Sequence, residues 1–136
     1  MGDSRRAADN DLILRIETAV SETERVPVEL IEEIDKELER RPTAKLWILR
    51  GDAIQLCDDD RYSLDDARTS YINAIKQDPL AADGYESLGH FTFAADADAR
   101  GALQYFQRAI QLGAGQSARE ALRAAADDLA KDDEWE

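Results

Sequence analysis

Residues 67–75 read ARTSYINAI, and residues 102–110 read ALQYFQRAI. Ala67, Tyr71, Ala74 and Ile75 of the first stretch return as Ala102, Phe106, Ala109 and Ile110 of the second, each displaced by 35 residues. Steps of three and four place side chains on one face of an α-helix. An aromatic body among small residues lets a neighbouring helix come close and fills the space beside it. The pattern predicts two copies of one helix type, which is the signature of a repeated architecture.

A second correspondence lies upstream of each copy. Trp47 and Gly51 return as Tyr85 and Gly89, both displaced by 38 residues. Each copy is therefore a helix pair, and the first has a turn longer by about three residues, within 58–63. Gly51 and Gly89 lack side chains and permit close approach. Trp47, Tyr85, Tyr71 and Phe106 are expected to fill the space between successive helices. Alternating large and small residues occur in any helical bundle, but a fixed order in two copies favours a repeat.

The order Trp47, Gly51, Ala67, Tyr71, Ala74, Pro79, then Tyr85, Leu88, Gly89, Ala102, Phe106, Ala109, resembles the tetratricopeptide repeat over about residues 44–114. The chain departs from the family pattern in four places. Arg50 stands where a leucine is usual, Thr92 where an aromatic is usual, and Ala114 where a proline would close the second copy; the first turn is too long.

Working outward, apolar residues recur at helical spacing in both flanks. Residues 10–22 carry Leu12, Ile13, Ile16, Ala19 and Val20; Leu30, Ile31, Ile34 and Leu38 follow Pro27. Pro27 suits the first turn of a helix, and Pro42 stops that helix. Leu30, Ile34 and Pro42 precede Ala67, Tyr71 and Pro79 by 37 residues, so 10–42 reads as a degenerate N-terminal helix pair. Residues 44–57 form the next helix. Ser63 with Asp66 three residues on is a variant capping box, opening a helix that ends before Pro79. Further helices are expected at 82–94, 99–112 and 117–131, the last capped by Ser117 after Gly113 and Gly115. No alternating β-branched pattern predicts a strand. The expected fold is all-α, an antiparallel helix-hairpin array of about seven helices. Residues 1–136 are read as a single domain: a helix pair at 10–42, units at 44–79 and 80–114, a capping helix at 117–131 and an acidic tail at 132–136. The length also equals four units of 34 residues, but the residues support two clear units, one degenerate unit and a cap.

Seventeen Lys and Arg face 30 Asp and Glu, a net charge of −13 with an isoelectric point near 4.4. That balance opposes binding to nucleic-acid phosphates and to anionic membrane surfaces. The short apolar run Leu12 to Leu14, broken by Arg15 and Glu17, does not read as a secretory leader, and Arg6 stands where a myristoylation signal wants Ser or Thr. The expected location is cytoplasmic. Acidity is concentrated in residues 1–41 and 80–136 and is milder between them. It serves partly as a solubility device.

The resemblance implies binding of a peptide or protein surface on the concave face formed by the first helix of each pair. That face would be Lys45, Ile48, Asp52 and Gln55 in one unit, and Asp83, Glu86, His90 and Phe93 in the next. Both sets have 3-4-3 spacing and share a helix face. One branch of the family grips C-terminal carboxylates with basic residues there; Ile48, Asp52, Glu86 and His90 have the wrong charge for that. Acidic Asp52, Asp83 and Glu86 beside apolar Ile48 and Phe93 suit a basic or mixed basic and apolar partner, with salt-sensitive association.

No turnover is expected. His90 has Glu86 one turn away, but a packed or groove-lining histidine is the plainer reading. Asp96, Asp98 and Gly101 imitate the start of a calcium loop, yet Arg100 occupies a ligand position and Gln107 replaces the closing Glu. Asp58, Asp59 and Asp60 read as a solvated turn. One Cys and one His supply no zinc set. Cys57 reads as a buried, inert thiol. No cofactor motif occurs. Trp135 is an aromatic in an acidic tail, for which fraying is a plainer reading than docking on a neighbouring molecule or on the chain's own groove. Two rival roles are self-assembly as a structural homo-oligomer and immunity-type inhibition of a basic enzyme.

Overall fold

The computed structural model describes residues 2–22 and 25–133, with side chains at 11–22 and 25–131. Among the described residues there are seven α-helices and no strand: α1 (Gly2–Glu22), α2 (Val28–Arg40), α3 (Ala44–Gln55), α4 (Leu64–Gln77), α5 (Ala82–Ala95), α6 (Ala99–Gln111) and α7 (Gln116–Asp133). The fold is all-α, and the helices group into two compact units, Met1–Gln77 and Asp78–Glu136.

In the first unit α3 and α4 form the central hairpin. Tyr71 lies across Gly51: a Cβ there would fall 2.6 Å from the ring's Cζ. Helices α1 and α2 both pack on α3. They bury Leu12 and Ile16, and Ile31, Ile34 and Leu38, in a core with Leu46, Leu49 and Ile54. The Val26 N–H donates to the Leu56 carbonyl at 2.8 Å, fastening the start of α2 to the end of α3. Thr43 caps α3, its hydroxyl accepting from the Leu46 N–H at 3.1 Å. Ser63 and Asp66 cap α4 reciprocally. The Asp66 carboxylate accepts from the Ser63 N–H at 2.8 Å, and the Ser63 hydroxyl accepts from the Asp66 N–H at 3.3 Å.

The second unit repeats the contact. Phe106 of α6 lies across Gly89 of α5, where a Cβ would fall 2.6 Å from Cε1. Helix α7 covers α6, and Ala102, Phe106 and Ala125 form a buried cluster with Phe93, Leu103, Ala121 and Leu122 against it. Asp98 caps α6 by accepting from the Gly101 N–H at 2.9 Å. At the other end the Gly113 N–H donates to Ile110 and the Ala114 N–H to Ala109, a Schellman closure with Gly113 at φ 101°.

Several expectations shift. Helix α1 starts at Gly2 rather than 10, because apolar spacing marks only where a helix packs, and Arg5, Arg6, Ala7 and Ala8 are good helix formers. Pro27 sits at the N-cap, one residue before the helix. Ser117 does not cap α7, which begins at Gln116; the Gly115 carbonyl accepts from the Arg119 N–H, placing Ser117 in the first turn. Cys57 is half-buried, not buried, because α3 ends at Gln55 and leaves the thiol in the turn. The helix also continues through Asp132 and Asp133, the first two residues of the expected tail, while Trp135 lies outside the described residues.

Candidate functional site

The four residues expected on α3 have different surroundings. Lys45 is exposed and its Nζ reaches Glu17 of α1 at 2.9 Å. Ile48 is half-buried. Asp52 and Gln55 are brought together by Tyr71 of α4. The Tyr71 hydroxyl donates to Asp52 Oδ1 at 2.6 Å and accepts from Gln55 Nε2 at 2.7 Å. Burial pushes the Asp52 carboxyl above its ordinary value of 3.8, and the hydrogen bond from Tyr71 opposes that rise. Burial, then the Asp52 charge, pushes the Tyr71 hydroxyl up, so it stays a donor.

Beside this face a guanidinium occupies the hairpin. Arg50 Nε donates to Asp35 Oδ1 at 2.6 Å, and Nη1 donates to the Ser70 hydroxyl at 2.7 Å. The Trp47 ring centre lies 5.8 Å from the Arg50 Cζ and that of Tyr62 lies 5.5 Å away. The Tyr62 hydroxyl donates to Asp35 Oδ2 at 2.7 Å; burial first, then this bond, push it up to about 12. The long turn that delivers Tyr62 is itself held by Arg61, which bonds Asp59 and reaches Glu32 of α2 at 2.5 Å. Two of the four departures from the expected repeat pattern, Arg50 and the long turn, are thus partners in one network. It borders an open cavity of about 450 Å³ lined by α2, α3 and α4.

In the second unit His90 and Phe93 line one cavity of about 320 Å³, together with Ala94, Phe106, Ala121 and Ala124. The His90 ring stands on Phe106 edge-on, centroids 5.0 Å apart and planes at 66°. Asp83 is exposed and Glu86 half-buried on the same helix, outside that lining. The α7 alanines went unnoticed in the sequence, as did the Tyr71 hydroxyl. The one available signal for the latter is the exchange of Tyr71 for Phe106 between matched positions.

Other candidates resolve locally. Asp98 is engaged as a helix cap, Asp58 pairs with Arg25 at 3.0 Å, and Asp59 is drawn down to about 2 by its bonds to Arg61. Among the described residues no three His, Cys, Asp or Glu side chains gather as a metal set. No helix of the described residues is long and apolar enough to cross a membrane. No family model matches the sequence, and no curated protein matches it significantly.

Proposed function

We propose that the chain is a tetratricopeptide-like interaction module that binds a protein or peptide segment carrying basic and apolar side chains. The observation that supports this most is the apolar cavity of the second unit. Two residues expected from the sequence, His90 and Phe93, wall it with Phe106, and α7 completes it. A net charge of −13 favours a basic partner and would raise its association rate. Recognition, not turnover, is the mechanism: rigid helix pairs hold a preformed surface, so little ordering is needed on binding.

Calorimetric titration with a peptide alternating lysine with leucine and phenylalanine tests the reading. Binding should weaken by at least about tenfold between low salt and 0.5 M salt, as screening shortens the reach of surface charge. The same peptide with glutamate for lysine should not bind. Equal binding of both peptides, or none of the basic one, defeats the proposal. A homo-oligomeric role has exposed large apolar side chains in its favour, among them Leu14 of α1 at 62% and Leu80 at 74% exposure. Light scattering across concentrations decides it, since a purely monomeric chain ends that alternative.

A further inference from the structure

The two units present the same slots with different chemistry. Tyr71 and Phe106 are matched residues 35 apart, and each ring lies on its hairpin's glycine. Asp52 and His90, and Gln55 and Phe93, are matched residues 38 apart. Exchanging Tyr71 for Phe106 keeps the ring and removes one oxygen. Around that oxygen the first unit gathers a carboxylate and a carboxamide. Where it is missing, the second unit gathers an imidazole edge and a phenyl ring about an apolar cavity.

Resting on the function proposed above, we infer that Tyr71, Asp52 and Gln55 form a subsite for a lysine or arginine side chain of the partner, whereas Phe106, His90 and Phe93 form one for an apolar side chain. Asp52 Oδ1 is held by the Tyr71 hydroxyl, which fixes the carboxylate's orientation. No fully buried side-chain oxygen or nitrogen of the described residues lacks a partner, so the second Asp52 oxygen, Oδ2, is not sealed from solvent. No cationic side chain of the described residues acts on Asp52; Lys45, on the same helix, is turned to Glu17 instead. A half-buried carboxylate without a cation is poorly compensated, and a charge-assisted hydrogen bond from a partner's ammonium or guanidinium supplies what it lacks. Gln55 donates its N–H to Tyr71 and keeps a carbonyl oxygen for a second donor of the ligand. Tyr71 is the positioning residue, since its hydroxyl aims Asp52 while its ring lies against Gly51.

The test uses the full chain, ¹⁵N-labelled, with two capped probes, acetyl-Gly-Lys-Gly-amide and acetyl-Gly-Phe-Gly-amide. The lysine probe should shift the amides of residues 52 and 55, and the phenylalanine probe those of residues 90, 93, 121 and 124. Tyr71→Phe retains the ring against Gly51, as Phe106 does against Gly89. It should weaken the lysine probe about fivefold, and Asp52→Asn about tenfold, with the phenylalanine probe unchanged in both. A purely structural role for Tyr71 would instead shift amides all along α3 and α4 in the free Tyr71→Phe chain, whereas a positioning role confines those shifts to the neighbourhood of residues 52 and 55. Lysine-probe binding unaffected in both variants, or each probe shifting both sets of amides, overturns the subsites. If at the same time the mixed lysine and leucine peptide still binds, the interaction reading stands without them. If that peptide fails to bind the unaltered chain, the reading falls and the subsites with it.

Discussion

Gly51 and Gly89 do the same work at two points of the chain: each admits the face of an aromatic ring that a methyl group would strike at 2.6 Å. Tyr71 and Phe106 are 1% exposed and cannot swing aside without opening the hairpin. Gly51→Ala and Gly89→Ala should each cost about 1–3 kcal/mol, the usual range for overpacking, read as a lower urea midpoint. The glycines and the aromatics were legible from spacing alone. Which aromatic met which glycine was not, because Trp47 and Tyr85 were equally available by that criterion. Asp52 carries a different prediction. Its folded pKa lies above 3.8, so the stability it confers is full below that value and falls as pH rises through the folded pKa. Ionised Asp52 therefore works against folding at neutral pH. Asp52→Asn should melt higher than the unaltered chain at pH 7 and equally at about pH 3, by calorimetry. A lower melting point at pH 7 would contradict that sign.

At the scale of elements, the Arg50 network joins α2, α3, α4 and the long turn. Its ion pair with Asp35 is shielded, with side-chain exposures of 14% and 37%. Arg50→Leu leaves the Asp35 carboxylate without its cation, while Tyr62 still donates to Asp35 and Ser70 to the Asp66 carbonyl, and should cost about 2–3 kcal/mol. Adding Asp35→Leu should recover much of that loss, because a packed apolar pair replaces an ion pair more cheaply than a single break. A double variant as unstable as the single one would show that the network matters beyond its charges. Arg50 and the extended turn were each visible in the sequence as departures. Their common purpose was not, since Tyr62 and Arg50 meet only once the turn folds back. The α5–α6 connection offers a stabilising change. Ala97 sits at φ 51°, a left-handed conformation that a Cβ disfavours. Ala97→Gly should raise stability by up to about 1 kcal/mol in chemical unfolding. The Ser63 cap was legible because its partner, Asp66, lies three residues away. The Ser117 cap failed because glycine also starts helices, and Gly115 was the nearer choice.

For the whole molecule, acid outweighs base in both units: 18 against 12 in the first and 12 against 5 in the second. Ion pairs such as Arg61 with Glu32 and Arg15 with Glu33 lie at the exposed surface and add little. Self-repulsion should therefore prevail, and the melting temperature should rise by a few degrees from low salt to 0.5 M salt. A fall would mean that the ion pairs outweigh the repulsion. The sequence alone determined the all-α class, the helix pairs, the glycine and aromatic positions and the local Ser63 cap. These follow from periodicity and from groups within one turn of each other, where covalent connection already sets the geometry. Only the tertiary structure decided that Tyr71 holds Asp52 across 19 residues, that Arg50 finds Asp35 across 15, and that α7 closes the His90 and Phe93 cavity. Such meetings depend on how far each helix is rotated and how closely it approaches its neighbour, and a pattern along one helix carries neither quantity.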